Sequence, residues 1–183
     1  MLILMVLLLA SATAAPVTPH LRGASAREKA LIDELLARSA TARALAAEIE
    51  ARDVIVYVQM TRTLARTRAM TGFVTASGGI RYLRITLGAV RDRDDLAALL
   101  AHELQHATEI ARSPTVKDDA GVRRLYRAIG EERGPGNAFE TAAARDVADR
   151  VRSELSRARL TSPSDPSSLV RPPAEPAPAA SYK

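Results

Sequence analysis

Ala101-His102-Glu103-Leu104-Gln105-His106-Ala107 stands inside an apolar run that carries Leu96, Leu99, Leu100 and Ile110 at helical spacing. Residues four apart on an α-helix lie one above the other on the same face. His102 and His106 can therefore aim a ring nitrogen each at one Zn²⁺. Glu103 falls on the neighbouring edge of that face. There it can take a proton from a metal-activated water without being a ligand itself.

The chain has 3 histidines, and this helix uses two of them. Two imidazoles and a carboxylate are costly to bury without partners, and a metal ion supplies a partner. The third histidine, His20, lies in a segment that reads as a linker and is set aside as a ligand.

Length and composition frame the rest. The 183 residues suit one domain with appendages. Hydrophobic residues make up 47%, charged residues 26% and aromatics 3%, so the core must be built from Leu, Val, Ile and Ala. The formal net charge is +5. The arginines are scattered among Asp and Glu without stacking aromatics, which argues against a nucleic-acid partner. Cysteine is absent, which excludes disulfides, thiolate ligands and a cysteine nucleophile.

At the N-terminus, Leu2 to Ala10 is apolar and small residues follow. This resembles a secretory signal peptide, with Ala12-Thr13-Ala14 placing cleavage before Ala15, although no Lys or Arg precedes the apolar run. The expectation is an exported protein, periplasmic or secreted, with no membrane span after cleavage. Expected units are a signal at 1–15, a linker at 16–24, one domain at 25–160 and a disordered Pro/Ser/Ala-rich tail at 161–183. Oligomeric state is not legible.

Within the domain, 25–52 reads as two helices separated at Ser39-Ala40-Thr41, with Ser39 or Thr41 as N-cap. Asp53 to Met60 reads as a strand. Residues 61–70, rich in Thr and Arg, are ambiguous. Gly72 to Ala76 reads as a second strand, Ser77-Gly78-Gly79 as a tight turn, and Ile80 to Leu87 as a third strand. The motif helix should open near Asp92 and end at Ser113-Pro114. A helix over 118–129 closed by Gly130, a loop at 134–137 and a last helix from Ala138 to about Thr161 complete the chain. The class is α+β, mainly helical, with a small antiparallel sheet of about three strands packed on the motif helix.

A catalytic zinc needs three protein ligands. The third here must be a carboxylate. Glu140 is the stronger candidate, because it opens the last helix. Ala143, Ala144, Val147 and Val151 give that helix a face of small residues that can approach the motif helix. Glu109 lies a turn beyond His106 and is better placed as a supporting or substrate-facing group, though either acid could complete the set.

His102-Glu103-x-x-His106 with a downstream glutamate on a second helix resembles the gluzincin class of zinc metallopeptidases. The resemblance covers the motif helix, the last helix and loosely the hairpin before them. It implies a zincin-like domain that cleaves peptide or protein substrates with Zn²⁺ as cofactor and Glu103 as general base. It also implies an edge strand that binds extended substrate, a part that would fall to Ile80–Leu87. Members often carry an Asp four residues after the glutamate to hold a zinc histidine. That position is Ala144 here, and Asp146 faces away, so either another group orients His102 or the groups around the metal histidines differ from that pattern. The tetrahedral intermediate needs a further donor, for which Tyr126 is the first candidate and Arg145 a weaker one. The alternative reading is a non-catalytic, zinc-stabilised envelope scaffold or binding protein.

Overall fold

A computed structural model describes residues 19–64, 67–132 and 139–161. The expected signal segment, the first part of the expected linker, the 134–137 loop and the tail beyond Thr161 lie outside the described residues. Among the described residues, no helix is long and apolar enough to cross a membrane.

The chain opens with a three-residue strand, β1 (Leu21–Gly23). Part of the expected linker is therefore sheet. β1 is too short to show an alternation that sequence could reveal. Helices α1 (Ala26–Arg38) and α2 (Ala40–Glu50) follow. Ser25 caps α1, and its hydroxyl also bonds Glu28 in a capping box. Ser39 ends α1 and caps α2, accepting from Ala42 N at 3.0 Å, so the proposed break between the two helices is where it was read.

Strands β2 (Val54–Met60), β3 (Ala69–Ser77) and β4 (Ile80–Leu87) complete a four-stranded sheet of order β1-β2-β4-β3. The sheet is mixed. β3 and β4 form the expected antiparallel hairpin, turning on Gly78 and Gly79 at φ 58° and 81°. A two-residue turn with positive φ at both positions matches the twist of the paired strands, and glycine adopts it without strain. β2, however, pairs with β4 in parallel, and β1 with β2 in parallel. The expectation of an all-antiparallel sheet fails because the α1–α2 crossover brings β2 back parallel to β1, and because β4, the second arm of the hairpin, is inserted between β3 and β2 and so runs parallel to β2. Ile80–Leu87 is hydrogen-bonded on both sides, so it is not an edge strand; β3 is.

Helix α3 (Arg93–Arg112), capped by Asp92, carries the motif. It lies between the sheet, α2 and the last helix. Leu100, Leu104, Ala107 and Ile110 are fully buried, as are Leu83, Ile85 and Leu87 of β4 on the sheet face below. Helix α4 (Asp119–Ile129) ends at Gly130 as expected. Two short strands, β5 (Glu131–Glu132) and β6 (Phe139–Glu140), pair antiparallel before α5 (Ala142–Thr161). The last helix thus starts later than expected. Thr141, not a residue near 138, receives the first-turn amide, from Ala144 N at 3.1 Å. α5 packs on α3 through Ala144, Val147, Ala148, Val151 and Leu155. Ala143, expected on that face, is exposed.

Candidate metal centre

The four-residue spacing on α3 does what helical geometry requires. The rings of His102 and His106 lie 4.9 Å apart, centroid to centroid. Glu140 reaches them from β6, one residue before Thr141, not from the body of the last helix. Its Oε1 stands 3.4 Å from His102 Nε2 and 3.8 Å from His106 Nε2. One nitrogen from each ring and one Glu140 oxygen all lie within 4.8 Å of one another. Ligands about 2.0–2.1 Å from a tetrahedral ion sit about 3.3 Å apart; the two Glu140 distances are near that value, and the widest donor pair would close in on binding a Zn²⁺ ion. Two nitrogens and one carboxylate oxygen also match what zinc accepts while keeping a position open.

Two features bring Glu140 there. Thr141 N donates to Glu140 Oε1 at 2.9 Å and fixes the carboxylate. Gly130 supplies the space behind it: a Cβ at that position would lie 2.9 Å from Tyr126 O and 3.2 Å from Glu140 O. Only a residue without a side chain permits this approach.

Glu109 does not join the ligand cluster. It takes the supporting place, with Oε2 2.9 Å from His106 Nδ1. Its Oε1 accepts from Thr141 Oγ1 at 2.8 Å and from Gln105 Nε2 at 3.2 Å. Burial pushes the Glu109 carboxyl up, but the bonds from His106, Thr141 and Gln105 together hold it below the usual range. A carboxylate only accepts, so Nδ1 of His106 carries the hydrogen and Nε2 is left as the lone-pair donor. Burial also disfavours a charged His106, yet the surrounding carboxylates outweigh it and raise its pKa. His102 goes the other way: burial, then the neighbouring His106, lower it. The main chain at Ala144 acts on the His102 ring in the opposite, proton-favouring sense, so that position contributes through its backbone instead of an acidic side chain.

Glu103 is 5% exposed. Its Oε2 accepts from Thr71 Oγ1 at 2.7 Å, and Thr71 also bonds the Glu103 carbonyl at 3.0 Å. Desolvation raises the Glu103 pKa, with the positive field of His106 and the Thr71 bond opposing it. Such a carboxylate is a stronger base than an exposed one.

These groups face a cleft of about 440 Å³ lined by His102, Glu103 and Glu140 at one end. Leu99 of α3, Arg145, Ala148 and Arg152 of α5, and the start of β3 line the rest of it. Tyr126 is not part of it. Its hydroxyl donates to His106 O at 3.1 Å, and its ring stacks on Phe139 at 6.0 Å. The expected donor to a reaction intermediate is thus committed to the back of the motif helix. Arg145, the weaker candidate, does line the cleft. His20 lies elsewhere, against Ile49 and Glu50.

Sequence reading missed Thr71, Gln105 and Thr141. Thr141 carried a signal, a hydroxyl residue just ahead of an alanine-rich helical run. Thr71 and Gln105 carried none, because their roles depend on partners that folding supplies. No protein-family model, curated protein or solved structure matches the chain.

Proposed function

We propose that this chain is a zinc-dependent peptide hydrolase of gluzincin type that acts after export from the cytoplasm. One observation carries the reading: His102, His106 and Glu140 converge at one point from two separate elements, beside a buried carboxylate and at the end of an open cleft. An acid from a distant segment, fixed by the Thr141 amide beside the histidine pair, favours a built metal site over an accidental pair.

A bound Zn²⁺ would supply acidity to water in its open position and polarise a substrate carbonyl. His102 and His106 would hold it through Nε2, with Glu140 as the third ligand. Glu103 accepts the water proton. Thr71 holds Oε2, and Glu103 lines the cleft beside the two histidines. Glu103 then delivers that proton to the leaving amine. Arg145, one of three arginines lining the cleft, would meet negative charge developing on the carbonyl oxygen. An extended substrate adds to the free edge of β3, whose first residue, Ala69, lines the cleft.

The deciding experiment measures bound zinc and peptide cleavage together, in the native protein and in Glu103→Gln. A hydrolase keeps its zinc in the variant and loses cleavage by at least about a hundredfold. Zinc in both proteins with no cleavage of any protein substrate by the native one would leave the zinc-stabilised scaffold. No zinc in either would remove both readings.

A further inference from the structure

Arg68 precedes the edge strand and lines the same cleft as Arg145 and Arg152 of α5. Those two arginines have acidic partners. Arg145 pairs with Glu131 at 3.4 Å, and Arg152 with Asp149 at 2.7 Å and Asp95 at 3.6 Å. Arg68 has no ion pair among the described residues. Its backbone, by contrast, is held firmly. Gly88 N donates to Arg68 O at 2.8 Å. A Cβ on Gly88 would stand 2.9 Å from that same oxygen, so the close approach depends on glycine. An unpaired guanidinium on an anchored main chain at the cleft wall is a receptor for a carboxylate.

The spacing says where that carboxylate must be. Thr71 marks the position of Glu103 along β3, and Arg68 lies three residues before it. Three strand residues span about 10 Å. On α5, Arg145 to Arg152 is seven helical residues, also about 10 Å. A peptide lying along the cleft covers that distance with about three residues.

We propose that the cleft selects peptides bearing a carboxylate two to three residues from the scissile bond, and that Arg68 receives it. This rests on the peptide-hydrolase reading above and names its substrate class. The carboxylate has two possible sources, an Asp or Glu side chain or the free C-terminus of the peptide.

The test uses acetylated, amidated Ala/Ser hexapeptides with Glu or Gln placed at each position in turn, plus an all-neutral hexapeptide with a free C-terminus. Cleavage is measured with the zinc-loaded native protein. Binding is measured by fluorescence anisotropy with zinc-loaded Glu103→Gln. One Glu position should raise both kcat/KM and affinity about tenfold over its Gln counterpart, the gain expected of a charge-assisted bond. Arg68→Gln should abolish the difference while cutting the Gln peptides at the native rate. A preference confined to the free C-terminus assigns the terminal source, and one seen in amidated peptides assigns the side chain. Equal cleavage of Glu and Gln peptides, with no gain from the free C-terminus either, overturns the proposal and leaves the hydrolase intact. Arg68-dependent binding without cleavage supports the carboxylate receptor and removes the hydrolase. Neither binding nor cleavage overturns the proposal.

Discussion

The Glu109 carboxylate lies 2.9 Å from His106 Nδ1, three residues further along the same helix. A motif helix that supplies two candidate ligands also supplies the acid that orients one of them. A bond of this kind fixes the ring and its tautomer, and losing it typically costs ten- to a hundredfold in metal affinity. Glu109→Ala should therefore weaken zinc binding by about that factor, read by competition with a chromophoric chelator. It should also destabilise the fold by about 1–3 kcal/mol, because Gln105 and Thr141 lose a buried partner. Affinity within twofold of the native protein would refute the buttress.

Zinc should stabilise the native protein against heat and urea. At a free concentration about a hundredfold above its Kd, the gain is about 2.7 kcal/mol. His102→Ala and Glu140→Ala should lose most of that gain, and a chelator should reverse it in the native protein. An equal response in native and variant proteins would mean that zinc binds somewhere else.

Thr71 touches Glu103 from the edge strand. Thr71→Val should leave bound zinc unchanged and lower kcat about tenfold, with KM little altered, because only the positioning of the base is lost. Thr71→Ser, which keeps the hydroxyl, should restore most of it. A rise in KM with kcat unchanged would assign Thr71 to substrate binding.

Arg81 is 2% exposed and ties the sheet to the end of the motif helix. Its guanidinium donates to Asp53 and to the carbonyls of Ile110, Ala111 and Ser113 at 2.5–2.9 Å. Arg81→Met removes the charge and leaves helix-end carbonyls without donors. The expected loss is about 3–5 kcal/mol in urea unfolding. Asp53→Asn, at the half-exposed end of the pair, should cost only about 1 kcal/mol. Similar losses for the two variants would place the stabilisation in the ion pair instead of the helix end.

Glu48 supplies a pH-dependent link between α2 and α3. Arg112 donates to both of its oxygens at 2.7 Å, and this, with Arg52 and against burial, lowers its pKa from 4.5 to about 2. A depressed carboxylate pKa stabilises the fold above its ordinary value, and the contribution fades as pH falls toward the folded value. The pair is partly exposed, so it contributes about 1 kcal/mol at pH 7, well below what the shift alone would suggest. Glu48→Gln should be less stable by that amount at neutral pH. The gap should close between about pH 4.5 and 2. A gap that stays constant across this range would show that the charge of Glu48 is not its source.

Much of the fold was legible because its determinants are local. Ser39, Asp92 and Asp118 cap helices through amides two or three residues away, and Gly78-Gly79 sets its own turn. The His102/Glu103/His106 spacing is a property of one helix. Glu140 is legible as a ligand candidate, but its place on β6 ahead of the last helix is not, because that helix starts at a Thr141 cap bonded to Ala144 N instead of near Ala138.

What sequence alone determined was therefore everything decided within about four residues: helix ends, the hairpin, and two imidazoles on one face. Tertiary structure decided the rest. The order of the strands, the three-residue β1, the commitment of Tyr126 to the His106 carbonyl, and the roles of Glu109, Thr71 and Arg81 all depend on partners brought together by burial. A hydrogen bond between distant residues has no period in the sequence. It exists only once the apolar faces of α3, α5 and the sheet have been driven out of water and fixed at one separation.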